Sequence, residues 1–144
     1  MHFLFQNGEW EGTGRVTFSA SPTVLPFTTH WTVSDLGGRR FRAIQTVQIP
    51  DQQLQTNVFT ITDRSPGEFQ VFLENETLGV FSGEGIWDDV RVAWEFAHSG
   101  ALEGIEIYEK TNETEYSFRA EYGTGDDYST VIHGTLSKVT TSSD

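Results

Sequence analysis

The chain has 144 residues, the length of one domain, and 13% of them are aromatic, far above what a disordered chain carries. Nine basic residues face 21 acidic ones for a formal charge of -12, and beyond Arg39-Arg40 no basic cluster exists to hold a phosphate backbone or an anionic bilayer, so neither nucleic acid nor membrane is expected as a partner. There is no cysteine, which excludes disulfides, thiolate nucleophiles and cysteine-held zinc, haem or iron-sulfur sites.

Residues 1–144 read as a single domain with 140–144 a frayed polar tail. The opening stretch, Met1 to Asn7, lacks the basic region and long apolar core of a signal peptide, and no apolar run approaches membrane-span length. A cytoplasmic location is the resulting expectation.

Alternation with a period of two runs through the sequence, the signature of half-buried strands. In the first run, 10–20, Trp10, Gly12, Gly14, Val16, Phe18 and Ala20 share one face, and Ser21-Pro22 is expected to end it. Short helical turns are expected, if anywhere, within 23–27 and 52–55. The second run, 28–36, sets Trp31 and Val33 on one side, and a turn follows at 35–38. The third, 40–49, alternates Phe41, Ala43, Val47 and Ile49 with polar partners and closes at Pro50-Asp51. The fourth, 54–62, leaves its inner face open between Leu54 with Val58 and Phe59 with Ile61. A turn at 63–67 leads to a fifth run, 68–74, joined through Asn75-Glu76 to a sixth, 77–83, as a hairpin.

Gly83-Glu84-Gly85 and Gly123-Thr124-Gly125 read as turns needing positive φ or close approach. The seventh run, 90–98, is the cleanest, with Val90, Val92, Trp94, Phe96 and His98 on one face. Ser99-Gly100 turns into an eighth run, 101–109. The ninth, 114–122, aligns Tyr116, Phe118, Ala120 and Tyr122, with Arg119 outward. The tenth spans 128–139.

Val, Ile, Thr and aromatic residues fill these runs, and no stretch of ten carries a 3.6-residue stripe. Links this short make neighbouring strands antiparallel. Ten strands in an open sheet would expose two long edges, and closing the sheet removes both. The fold class is therefore all-β, a single antiparallel closed barrel of about ten strands, with a β-sandwich or jelly roll as the alternative. An edge left unpaired at the first or last strand would support a homodimer.

Gly8-Glu9-Trp10 at the opening of the first run resembles the Gly-x-Trp signature of the calycins, the group of lipocalins, fatty-acid-binding proteins and bacterial relatives. Followed by Gly12-Thr13-Gly14, it is similar to the Gly-x-Trp-x-Gly-x-Gly start of nitrobindin-like barrels. The resemblance implies a calycin-like barrel with the Trp10 side chain across its floor. The chain departs from fatty-acid-binding proteins because 21–29 is too short for a helix pair and contains Pro22 and Pro26. It departs from lipocalins in having no readable C-terminal helix. Nitrobindin-like proteins hold haem iron with a late histidine, and His133 in Val131-Ile132-His133-Gly134 is the residue the resemblance would offer. No cofactor is otherwise predicted, so haem is the alternative.

A barrel of this size either fills its interior or encloses a small ligand. His98 prolongs the apolar face of Trp94 and Phe96. With Tyr116, His133 and Trp31, these residues make up the expected ligand-binding set. Imidazole titrates near neutrality and suits general-base work, yet no His-x-His or His-Glu-x-x-His spacing occurs. No metal site is predicted. One would need His30, His98 and His133 to converge, and His30 lies opposite Trp31. Glu103 and Glu106, Glu113 and Glu115, and Asp126-Asp127 are expected on loops or the outer face.

The leading functional reading is non-enzymatic binding of a small apolar or amphipathic molecule inside the barrel. One alternative is an isomerase, cyclase or lyase using His98 with Tyr116 or His133 as acid-base groups. The other is a structural or interaction module with a filled core.

Overall fold

The computed structural model describes residues 2–96, 103–123 and 129–140. A 3₁₀ turn, Phe3–Phe5, precedes ten strands: β1 Gly8–Phe18, β2 Ser21–Gly37, β3 Arg40–Gln48, β4 Gln55–Ser65 and β5 Glu68–Asn75, then β6 Gly79–Trp87, β7 Arg91–Phe96, β8 Glu103–Asn112, β9 Glu115–Gly123 and β10 Ser129–Lys138. They form one closed antiparallel barrel in chain order, sealed where β1 pairs with β10 from Trp10↔Lys138 to Phe18↔Thr130. The sandwich and jelly-roll alternatives are thereby excluded. Closure also removes the ground for an edge-paired homodimer, because β1 is flanked by β2 and β10, and β10 by β1 and β9.

The seam needs glycine. A Cβ at Gly12 would lie 2.2 Å from the Thr135 carbonyl oxygen, and one at Gly14 2.2 Å from that of His133 and 2.7 Å from the Phe27 ring. The Gly12-Thr13-Gly14 segment thus lets β1 bend tightly against β10. Gly83 and Gly85 act the same way inside β6, where they were expected to turn. A Cβ at Gly85 would stand 2.0 Å from the Phe69 ring.

Three expectations are corrected. β2 starts at Ser21 and carries Pro22 and Pro26 within it, so 23–27 is extended. Along 21–27 it pairs with β1 alone, since β3 joins only at Thr28, and a proline beside a missing neighbour costs no ladder bond. No helical turn forms at 52–55: Pro50-Asp51 turns as expected, with the Gln52 N–H donating to the Ile49 carbonyl at 3.0 Å and Asp51 at φ 66 in the third position, and Gln55 already opens β4. Val90 lies outside β7 and is exposed.

Inward positions follow the alternation. Trp10, Trp31, Phe59, Ile61, Val71, Val92, Tyr108, Tyr116 and Leu136 are almost fully buried. The Phe3–Phe5 turn closes one end of the barrel. The Phe3 ring lies 5.1–5.8 Å from those of Trp10, Trp31, Tyr108 and Tyr116, and Phe5 packs on Phe41, Phe69 and Trp87. Among the described residues no helix is long and apolar enough to cross a membrane.

Candidate functional site

The interior divides into a sealed half and an open half. The sealed half is aromatic. Trp94 stacks on Tyr108 at 5.2 Å, Tyr108 on Phe118 at 5.0 Å and Trp31 on Phe59 at 5.2 Å. His2 locks the Phe3–Phe5 turn in place. Its Nδ1 lies 2.9 Å from the Tyr116 hydroxyl, its Nε2 bonds the Asp88 carbonyl, and Tyr116 Oη accepts the Phe3 N–H at 3.1 Å. A carbonyl can only accept, so Nε2 carries the proton and Nδ1 accepts from Tyr116. Burial holds the His2 imidazole below its ordinary 6.5, and lifts the Tyr116 phenol to about 12.

Above the stack lies a cavity of about 320 Å³ that opens at the opposite end of the barrel. Phe59, Tyr108 and Phe118 form its floor, and Val16, Phe27, Phe81, Phe96 and Ile132 its apolar walls. A groove of about 390 Å³ on the outer wall, lined by Arg64, Glu68, Glu84 and Glu95, is larger but charged, so the more apolar interior cavity is the better small-molecule site.

Two polar groups interrupt the apolar lining. One is a row of side chains on adjacent strands: Gln45 Nε2 donates to Thr29 Oγ1 at 3.1 Å, Asn57 Nδ2 to Gln45 Oε1 at 3.0 Å, and Asn75 Nδ2 to Asn57 Oδ1 at 2.7 Å. The register aligns them, pairing Gln45 with Asn57 and Asn57 with Asn75. The other is Glu106 on β8, which accepts Tyr108 O–H on Oε1 at 3.2 Å and Tyr122 O–H on Oε2. Burial raises the Glu106 carboxyl above its ordinary value, while the two phenol donors pull it back. The Trp94 indole N–H acts in the same sense from outside hydrogen-bond geometry. Burial, and then the Glu106 charge, push both phenols well above their usual range.

The structure does not gather the expected site residues in one place. Phe96 lines the cavity. Trp31, Trp94 and Tyr116 belong to the sealed half, Tyr116 facing His2 and Phe3. His98 lies outside the described residues. His133 points outward, away from the expected ligand-binding set, exposed between Arg15 on β1 and Arg119 on β9. A haem held by a late histidine does not fit this placement, since no histidine among the described residues lines the cavity. The described residues contain no group of three side chains placed to hold a metal.

Glu106 corrects the outer-face expectation. Its strand turns Ile105 and Ile107 outward and Glu106 and Tyr108 inward, against hydrophobicity. Gln45, Asn57 and Asn75 were also missed. Their parity with Ala43, Phe59 and Leu73 places them inside, and that was the available signal.

No protein-family model matches the chain, and no curated protein matches it in sequence. The fold does match solved structures. Rv2717c from M. tuberculosis shares 12% identity over 93% of this chain and 92% of its own, with a TM-score of 0.75. The S-type phycobiliprotein lyase CPES from Guillardia theta shares 8% over 95% and 90%, with a TM-score of 0.71. EF1p2_mFAP2b bound to DFHBI shares 15% over 92% and 93%, with a TM-score of 0.52. At these identities the likeness is one of fold, and the layout is calycin-like.

Proposed function

We propose that the protein binds a small apolar or amphipathic molecule in the open half of its barrel, with no cofactor and no chemistry on the ligand. The carrying observation is the cavity itself, an apolar chamber with a hydrogen-bonded amide row and a buried carboxylate on its walls. A structural module has no use for such a chamber, because void and buried polar groups both cost stability. One solved neighbour of this fold is bound to DFHBI and another is a phycobiliprotein lyase, which supports a barrel suited to small ligands.

The test is fluorescence titration with N-phenyl-1-naphthylamine. The wild type should show saturable one-to-one binding with a blue-shifted emission. Ala120→Trp, which fills the chamber, should abolish it with the fold intact by circular dichroism. Thr130→Trp at the rim serves if the first variant does not fold. Non-saturable emission, or binding indifferent to the filling variant, overturns the reading.

A second reading is an acid-base isomerase, cyclase or lyase. It rests on Glu106, a buried carboxyl with a raised pKa beside the Tyr122 phenol. Glu106 and Tyr122 would then take the role expected of His98 and its partners. Deuterium exchange at the α-carbon of 2-tetralone, accelerated by the wild type and lost in Glu106→Gln, supports this reading. No acceleration rejects it.

A further inference from the structure

The two polar walls of the cavity are opposite in kind. The amide row has a fixed direction, because backbone groups anchor both ends. Thr29 Oγ1 donates to the Thr46 carbonyl at 2.9 Å, so toward Gln45 it accepts. At the far end Asn75 Oδ1 accepts the N–H groups of Thr77 and Leu78, both at 2.8 Å, which turns its nitrogen toward Asn57. Between these anchors each carboxamide oxygen accepts from the next amide along. An amide nitrogen carries two hydrogens, and each of the three spends one in the row. Three N–H bonds therefore remain uncommitted on side chains that line the cavity.

The facing wall holds an acceptor. Glu106 takes one phenol on each oxygen, and a carboxylate has capacity for about four bonds. In the ten-strand ring β3 and β8 are five strands apart by either route, so Gln45 and Glu106 stand on opposite sides. The lining between them is largely apolar, so neither wall is easily satisfied by a ligand polar all round.

Building on the binding function above, we propose that the cavity selects two-ended uncharged molecules, with a carbonyl-type acceptor at one edge and an amino or N–H donor at the other. The acceptor meets the Gln45–Asn57–Asn75 row and the donor meets Glu106. Anionic ligands are turned away by the carboxylate. A site built on buried hydrogen bonds rejects the analogue that leaves one unmade.

Two coumarins of nearly one shape test this by fluorescence titration. 7-Amino-4-methylcoumarin has a lactone carbonyl at one end and an amino donor at the other; 7-methoxy-4-methylcoumarin lacks the donor. The amino compound should bind at least about tenfold more tightly. Glu106→Gln should narrow that ratio by weakening the amino compound alone, while Asn57→Leu should weaken both alike. Should a variant fail to fold, the infrared lactone carbonyl band of the bound amino compound reads the other contact in the wild type. It should move to lower wavenumber than in hydrocarbon solvent. Equal affinity within about twofold, or an unmoved carbonyl band, overturns the two-ended selection and leaves the binding function standing. Binding of N-phenyl-1-naphthylamine but of neither coumarin also overturns it. Failure of all three probes removes the binding function and this inference together.

Discussion

The two halves of the barrel interior use the same strands and the same inward parity, yet they are built from different residues. Toward the Phe3–Phe5 turn the inward positions are Trp10, Trp31, Trp94, Tyr108 and Tyr116, ring against ring. Toward the opening they are Gln45, Asn57, Asn75 and Glu106, each held by hydrogen bonds, around an apolar chamber. Stability is concentrated at one end, and at the other stability is given up for a shaped, polar-edged space. A position's place along the strand, not its parity, decides which kind of residue it holds.

The sharpest way to break this contrast is to remove the turn that closes the aromatic end. Phe3→Ala should cost about 3–5 kcal/mol in urea denaturation, the range for losing a large buried ring. In the fraction still folded, probe affinity at the open end should stay within about twofold. A small loss of stability would mean the turn merely rests on the barrel.

Acid and base separate the two ends in opposite senses. His2 is held below its ordinary 6.5 by burial, so its contribution is complete above pH 6.5 and is lost as pH falls through the lowered folded value. Glu106 is raised above its ordinary 4.5, so its contribution is complete below pH 4.5 and is lost as pH rises through the raised folded value. Thermal denaturation across pH 4–8 should show the His2→Asn variant losing the acid-side decline, and Glu106→Gln losing the decline toward neutral pH. The reverse assignment would place the wrong group at each end.

The smallest effect belongs outside both halves. His133→Ala should change stability by no more than about 0.5 kcal/mol and leave probe binding unchanged, because the side chain is exposed on the outer wall. A large effect on binding would return His133 to the interior.

Much of the fold was legible because alternation and burial agree. Trp10 to Val16 and Tyr116 to Tyr122 show their inner faces plainly, and short links with a need to hide edges imply closure. The site was less legible. On β8 the isoleucines face out and Glu106 faces in, so the strand's hydrophobic pattern points the wrong way, and only the parity of Tyr108 corrects it. Gln45 sat on a face already read as inner and Asn57 on one of two faces left open, but a polar residue there carries meaning only once the register sets the two side by side. The closing turn left no periodic signal at all: Phe3, Leu4 and Phe5 are buried one after another, as neither a strand face nor a helical stripe would have it.

The most direct test follows the side-chain amide and indole resonances while N-phenyl-1-naphthylamine is titrated in. The Gln45, Asn57 and Asn75 amide signals should move and saturate together, with the indole N–H signals of Trp10 and Trp31 and the ring of His133 unmoved. Saturable shifts confined to His133 and the outer wall, or a row of amides that ignores the probe, would contradict an interior built to hold a ligand.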